Sequence, residues 1–160
     1  MSTAPATSAG LFTTTRRVKW GECDPAGVVY TPRFTDYVVE AFHEFLGFML
    51  DGPLQQKLVE HDLGTPAKAV SLVFHKSLWP EQTLRLVVFV SGIRTRSFDI
   101  AIRAEDDGGT AIFDASFSAV CIHHAERRSR AIPPALHIRL AEYATRHPCG
   151  LSSIEERTGP

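Results

Sequence analysis

Two acidic residues, Glu22 and Asp24, lie two positions apart in the turn-rich run GECDPAGVVYTP at positions 21–32. Gly21, Pro25 and Gly27 interrupt regular structure there. Thr31-Pro32 then reads as a helix start, with Thr as the cap and Pro at the first helical position. A helix N-terminus offers unpaired backbone N–H groups and a partial positive charge. Such groups can hold a developing oxyanion while a nearby carboxylate attacks or activates water. The same residues also make an ordinary Asx-Pro turn capping a loop. On residue types alone both readings stand.

Other reactive side chains form weaker patterns. Arg94, Arg96, Arg127, Arg128 and Arg130 gather near predicted strand ends, where guanidinium forks suit phosphate groups, although charge clusters are commonly solvated faces. His43, His61, His75 and His123-His124 show no metal-ligand spacing, and His43/Glu44 falls in mid-helix as a structural pair. Cys23 sits beside Asp24 with no histidine placed by sequence to activate it, so it reads as a small buried loop residue. The chain has neither a Gly-rich phosphate loop nor a G-x-S-x-G elbow, which excludes an α/β-hydrolase at the motif level.

The elements that must position these groups follow from periodicity. Leu11 to Trp20, rich in Thr and Val, predicts a first strand. Phe34, Val38, Ala41, Phe45 and Phe48 recur at helical spacing, and Tyr37, Phe42, Leu46 and Met49 widen the stripe. So apolar a helix is wrapped on most sides; it ends near Asp51-Gly52-Pro53. An irregular or partly helical connection runs to about Pro66. The period then switches to two: Val70, Leu72, Phe74 and Leu78; Leu84, Leu86, Val88 and Val90; Phe98, Ile100 and Ile102; and Phe113, Ala115, Phe117, Ala119 and Cys121. Asp106-Asp107-Gly108-Gly109 predicts a hairpin turn. A last amphipathic segment starts at Pro133-Pro134 and carries Leu136, Leu140, Tyr143 and Ala144. Strand, long helix, four strands in a meander and a short helix make an α+β layout with one antiparallel sheet around one apolar helix. The stripe looks too wide for one sheet, and the sheet has open edges; a homodimer or homotetramer paired along an edge would answer both.

Length and composition agree with this. The 160 residues suggest one domain, read as 11–147, with mobile tails at 1–10 and 148–160. Apolar residues make up 44% and charged residues 22%, with a formal net charge of −1, which argues against a nucleic-acid binder. No apolar run approaches the ~18–20 residues of a membrane span, and MSTAPATSAG lacks the regions of a signal peptide. Three widely spaced cysteines fit a reducing cytoplasm better than a disulfide framework.

The run WGECDPAGVVYTPRF, residues 20–34, resembles the active-site segment of the 4-hydroxybenzoyl-CoA thioesterase family, whose pattern is roughly G-D-C-D-P-A-G-I-V-W-Y-P before an aromatic-rich helix. Arg-Ser-Phe at 96–98 and Arg-Ala-Ile-Pro at 130–133 resemble family segments more weakly. The resemblance covers about residues 12–145 and implies a hot-dog fold: a five-stranded antiparallel sheet around the long helix. It implies an acyl-CoA thioesterase acting on an aromatic or short-chain acyl group, needing no cofactor or metal beyond the coenzyme A of its substrate. Asp24 falls at the catalytic carboxylate position and the Thr31 backbone N–H where the thioester carbonyl is polarised. Gly27 and Tyr30 join the substrate-binding loop, and Arg127, Arg128 and Arg130 are candidates for the CoA phosphates. Glu22 replaces the usual Asp, a conservative change outside the catalytic position, and Thr31 replaces the usual Tyr, whose side chain would line the acyl pocket, which opens the question of acyl specificity. A non-catalytic acyl-CoA-binding or regulatory hot-dog domain is the alternative, disfavoured by the intact D-P-A-G-V-V run; a dehydratase would need a His-containing loop that is not seen.

Overall fold

Residues 10–150 are described by a computed structural model. The predicted tails fall outside the described residues apart from Gly10 and residues 148–150. Strands β1 (Thr13–Arg17), β2 (Ala67–Phe74), β3 (Thr83–Ile93), β4 (Ser97–Glu105) and β5 (Ala111–Val120) form one antiparallel sheet in the order β1-β3-β4-β5-β2. Helices are α1 (Arg33–Leu50), α2 (Leu54–Glu60) and α3 (Pro134–Arg146), and Trp20–Glu22 makes one turn of 3-10 helix.

The strongly periodic segments form the expected elements. Leu84, Leu86, Val88 and Val90 of β3, Phe98, Ile100 and Ile102 of β4, and Phe113, Ala115 and Phe117 of β5 are all buried against α1. The 106–109 turn joins β4 to β5: Asp106 Oδ1 accepts the N–H groups of Gly108 and Thr110, and Gly109 supplies φ +81°.

Three expectations need correction. First, β1 ends at Arg17 rather than continuing to Trp20. The Glu22 N–H donates to Lys19 O at 3.0 Å and the Lys19 N–H to Glu22 Oε2 at 2.9 Å, which curls the chain into the 3-10 turn and leaves Trp20 exposed. Second, β2 is not the first strand of a meander. The place beside β3 is taken by β1 (Thr13↔Val87), so β2 pairs with β5 at the far edge (Phe74↔Phe113), and residues 75–82 carry the chain back across the end of the sheet. Third, one chain does bury the α1 stripe except for Phe48, which is half-buried. Phe34, Tyr37, Val38, Ala41, Phe42, Phe45, Leu46 and Met49 are all buried. The flank that the sheet leaves is covered by Phe12, 5.6 Å from Phe45, and by Tyr143 of α3, 5.2 Å from Phe45. The open edge of β2 remains.

Candidate active site

Asp24 sits where sequence chemistry builds a tight reversal. The Gly27 N–H donates to Asp24 O (2.9 Å) and the Asp24 N–H to Val28 O (3.0 Å). Asp at the first turn position, Pro25 at the second and Gly27 at φ +82° are the residues that such a turn requires. Asp24 Oδ1 accepts the Ala26 N–H at 2.8 Å, so the Asx-turn reading is present in the structure. Its Oδ2 has no hydrogen-bond partner among the described residues, and the side chain is half-buried.

Glu22, two residues earlier, is built quite differently. It is 9% exposed. Its carboxylate accepts from the Arg16 guanidinium, the Lys19 N–H and the Tyr37 hydroxyl (2.8 Å). Its backbone carbonyl accepts the Tyr30 N–H at 2.9 Å. Arg16 in turn lies 4.4 Å over the Tyr37 ring and pairs with Glu40. Burial pushes the Glu22 carboxyl up, but the Lys19 N–H, the Tyr37 hydroxyl and the Arg16 guanidinium together hold it below its ordinary value. Burial foremost, then Glu22, pushes the Tyr37 hydroxyl up. Residue 22 thereby ties β1, the turn and α1 together and pins both ends of the Asp24 loop. Cys23 does not gain a base: burial and the Glu22 and Asp24 charges push its thiol up.

The entry to α1 departs from the expected cap. Pro32, not Thr31, occupies the cap position, and no side chain caps the helix. A tight turn precedes it: the Arg33 N–H donates to Tyr30 O (2.8 Å) and the Phe34 N–H to Thr31 O (3.2 Å). These bonds consume the first helical donors, so a capping side chain has nothing to bind. The Thr31 N–H is left with no acceptor among the described residues. Tyr30 is 54% exposed.

Thr31 opens onto a pocket of about 340 Å³ between residues 28–34 and residues 74–78. Val29 N–H donates to Leu78 O (2.9 Å) and closes its floor. Phe34, whose ring centroid is 4.9 Å from Phe74 and 5.5 Å from Phe113, walls it toward the sheet. The pocket lies at the end of the sheet where β2 stops, beside its open edge. Trp79 is half-exposed and lies 4.0 Å from where a Gly27 side chain would begin.

The arginines lie elsewhere. Phe74, Ala111 and Glu105 mark the pocket end of the sheet, and Ala67, Val120 and Ser97 the opposite end. Arg127, Arg128 and Arg130 follow β5 at that opposite end, one strand length away: about 30 Å for ten residues. Arg130 Nη1 donates to His61 O and Asp62 O at 2.8 Å each. Asp62 also binds His123 Nδ1 (2.7 Å) and the His124 N–H (2.9 Å), which together hold its carboxyl below the ordinary range. Arg128 pairs with Glu126, and Arg127, at φ +55°, makes no ion pair with a described residue. Arg94 and Arg96 bind Asp99 and Ser129. Within one chain, therefore, Asp24, Gly27, Tyr30 and Thr31 share the 22–32 loop, of which Thr31 lines the pocket and Asp24 does not, and the three arginines lie apart from it.

Sequence reasoning missed His75 and Asp114. His75 lines the pocket, and its Nε2 lies 2.8 Å from Oδ2 of Asp114, a buried carboxylate on β5. Arg103 Nε lies 3.3 Å from the other oxygen. Asp114 did carry a signal: it is the one charged residue inside an otherwise apolar and small-residue strand.

An antiparallel sheet in this order wrapped on one long helix defines the hot-dog class. The sequence profile of the thioesterase-like superfamily matches residues 18–140, and the chain belongs to that superfamily. Solved structures share the fold. A gentisyl-coenzyme A thioesterase is 21% identical, with a TM-score of 0.73 over 81% of this chain and 99% of its own. A 1,4-dihydroxy-2-naphthoyl-CoA thioesterase from Synechocystis is 23% identical, with a TM-score of 0.73 over 87% and 100%. A hypothetical protein from Staphylococcus aureus, solved in complex with CoA, is 13% identical, with a TM-score of 0.84 over 98% of each chain. No curated protein matches the sequence. Among the described residues no helix is long and apolar enough to cross a membrane.

Proposed function

We propose that this protein is an acyl-CoA thioesterase of the 4-hydroxybenzoyl-CoA thioesterase type. It hydrolyses an aromatic or short-chain acyl-CoA to the free acid and coenzyme A. The observation that carries this reading is the pairing of a carboxylate with one uncommitted oxygen, at Asp24, and a backbone donor with no acceptor, at Thr31, on the two limbs of one pinned loop. A thioester is already a reactive acyl donor. It needs its carbonyl polarised and an oxygen nucleophile delivered. Thr31 N–H supplies the first, and Asp24 the second, by direct attack or by taking a proton from water. The gentisyl-coenzyme A and 1,4-dihydroxy-2-naphthoyl-CoA thioesterases among the structural relatives act on hydroxylated aromatic acyl groups by their names, and the Phe34 and Phe74 rings beside this pocket suit a flat acyl group.

The distant arginines fit the same reading if the protein pairs with itself. Two copies joined antiparallel along β2 would bring the 121–130 end of one chain toward the pocket end of the other. Phosphates held there leave the pantetheine arm to reach the pocket. On this reading the active unit is at least a homodimer.

The test is thiol release over a panel of acyl-CoAs by the wild type and Asp24→Asn. The variant keeps the shape and loses charge and nucleophilicity. A fall in kcat of about 10²–10⁴-fold is expected, with substrate still bound. Near-normal turnover by freshly prepared, non-deamidated Asn variant refutes the assignment.

A further inference from the structure

We propose that Trp79 is the specificity-determining residue of the thioesterase: its indole borders the way from the Asp24 turn to the pocket and selects flat acyl groups over puckered ones. The inference rests on the thioesterase reading above and names the side chain that sets its substrate class. Two segments of chain meet here. Val28, Val29 and Thr31 line the pocket from one side and residues 74–78 from the other. The bond from Val29 N–H to Leu78 O ties the two together. Gly27 and Trp79 are the next residues along each segment, just outside the pocket lining. Trp79 Cζ3 lies 4.0 Å from where a Gly27 side chain would begin, and no other described atom, the adjoining residues apart, comes so near. The Gly27 N–H in turn donates to Asp24 O at 2.9 Å. The indole therefore forms the rim between the pocket and the turn that carries the uncommitted Asp24 oxygen. An acyl group that presents its carbonyl carbon to Asp24 and its body to the pocket passes along this ring.

The backbone that carries the ring is firmly held. Leu78, just before it, is buried. The Trp79 N–H donates to Gln82 Oε1 at 2.7 Å, and Trp79 O accepts the Gln82 N–H at 3.3 Å. Gln82 O accepts the Val18 N–H, and Val18 O the Glu81 N–H, at 2.8 Å each. Residue 79 is thus fastened to the core while its side chain stays 52% exposed. Phe74 of the pocket lining and Tyr30, next to Thr31, are exposed at this end as well, so the indole belongs to an apolar patch of the kind that marks a contact face. An indole face stacks on a flat π-system and gains less from a saturated ring of the same size.

Benzoyl-CoA and cyclohexanecarbonyl-CoA, one ring flat and the other puckered, are the probes. Trp79→Ala is expected to lower the ratio of their kcat/KM values about ten-fold, on the scale of one aromatic pair, and Trp79→Phe to keep most of that ratio. Equal losses on both substrates, the mark of a structural role, overturn the inference, as does an unchanged ratio. A second readout needs no turnover. The chain has two tryptophans, so Trp20→Phe leaves Trp79 as its one indole. In the Trp20→Phe, Asp24→Asn double variant, benzoyl-CoA should quench that emission saturably and CoA alone should not. Equal quenching by CoA alone, or none by benzoyl-CoA, overturns the stacking contact. Absence of thiol release by the wild type from every acyl-CoA defeats the thioesterase reading instead, and the emission of Trp79 then decides the contact by itself.

Discussion

At one end of the sheet a carboxylate is buried to build a loop; at the other, a carboxylate of the same kind is used at the surface. Glu22 is enclosed by Arg16, Lys19 N–H and Tyr37, and spends every contact on holding residues 16–37 in register. Asp62 binds His123, His124 N–H and Arg130 across a sequence separation of about sixty residues while staying exposed. Hydrogen bonds inside a low-dielectric network are costly to leave unmade, whereas exposed pairs contribute little. The pocket end is thus held by a buried network, and the arginine end by pairs that stand in solvent.

Four perturbations break or sharpen this contrast. Glu22→Ala removes the anchor and leaves the Tyr37 hydroxyl and the Lys19 N–H without their acceptor, while Arg16 keeps only Glu40. A loss of about 2–3 kcal/mol in unfolding free energy is expected in urea, with kcat falling alongside because Asp24 and Thr31 lose their fixed spacing. Equal stability in the variant would mean that the network is ornamental. Arg130→Ala deprives two carbonyls of their donor at the solvated end, and about 1 kcal/mol is expected by the same measurement. Arg127→Glu, at the arginine with no ion pair among described residues, should raise KM several-fold with kcat and melting temperature unchanged, the mark of lost uniform binding. An unchanged KM removes Arg127 from the substrate path. The smallest effect is in pH. Glu22 is held below its ordinary pKa of 4.5 in the fold, so its stabilisation is present above that value and is lost as pH falls through the lower folded value. Melting temperature measured from pH 6 downward should drop more steeply in the wild type than in Glu22→Gln.

Much of the architecture was legible in the chain because strong periodicity survives tertiary context. The α1 stripe, the alternating faces of β3, β4 and β5, and the Asp-Asp-Gly-Gly turn each report a local geometry. Neighbour relations are different. Alternation in Val70, Leu72 and Phe74 says that a strand exists, and nothing in it says that β5 rather than β3 is its partner. The candidate site divides along the same line. Asp24, Gly27 and Thr31 share one short loop and were legible together. Glu22 read as a passive neighbour because its partners, Arg16 and Tyr37, come from two other elements. His75 and Asp114 meet across 39 residues. The arginines were readable as a group, and their distance from Asp24 was not, since that distance is the length of a strand pairing that periodicity leaves open.

The Tyr143 hydroxyl donates to Val88 O at 2.6 Å and accepts the Phe12 N–H at 2.9 Å. One atom from α3 therefore closes a junction between the chain just before β1 and the middle of β3. During synthesis this sets a schedule. The segment around Phe12 and the whole of α1 leave the ribosome long before β3 can pair with β1, and the last stitch waits for residue 143. Contacts of such separation form slowly, and until they form the faces of Phe45 and Phe48 are open to unwanted company. A nascent chain stalled before α3 should be held by chaperones or clump, although every strand of its sheet has already been made.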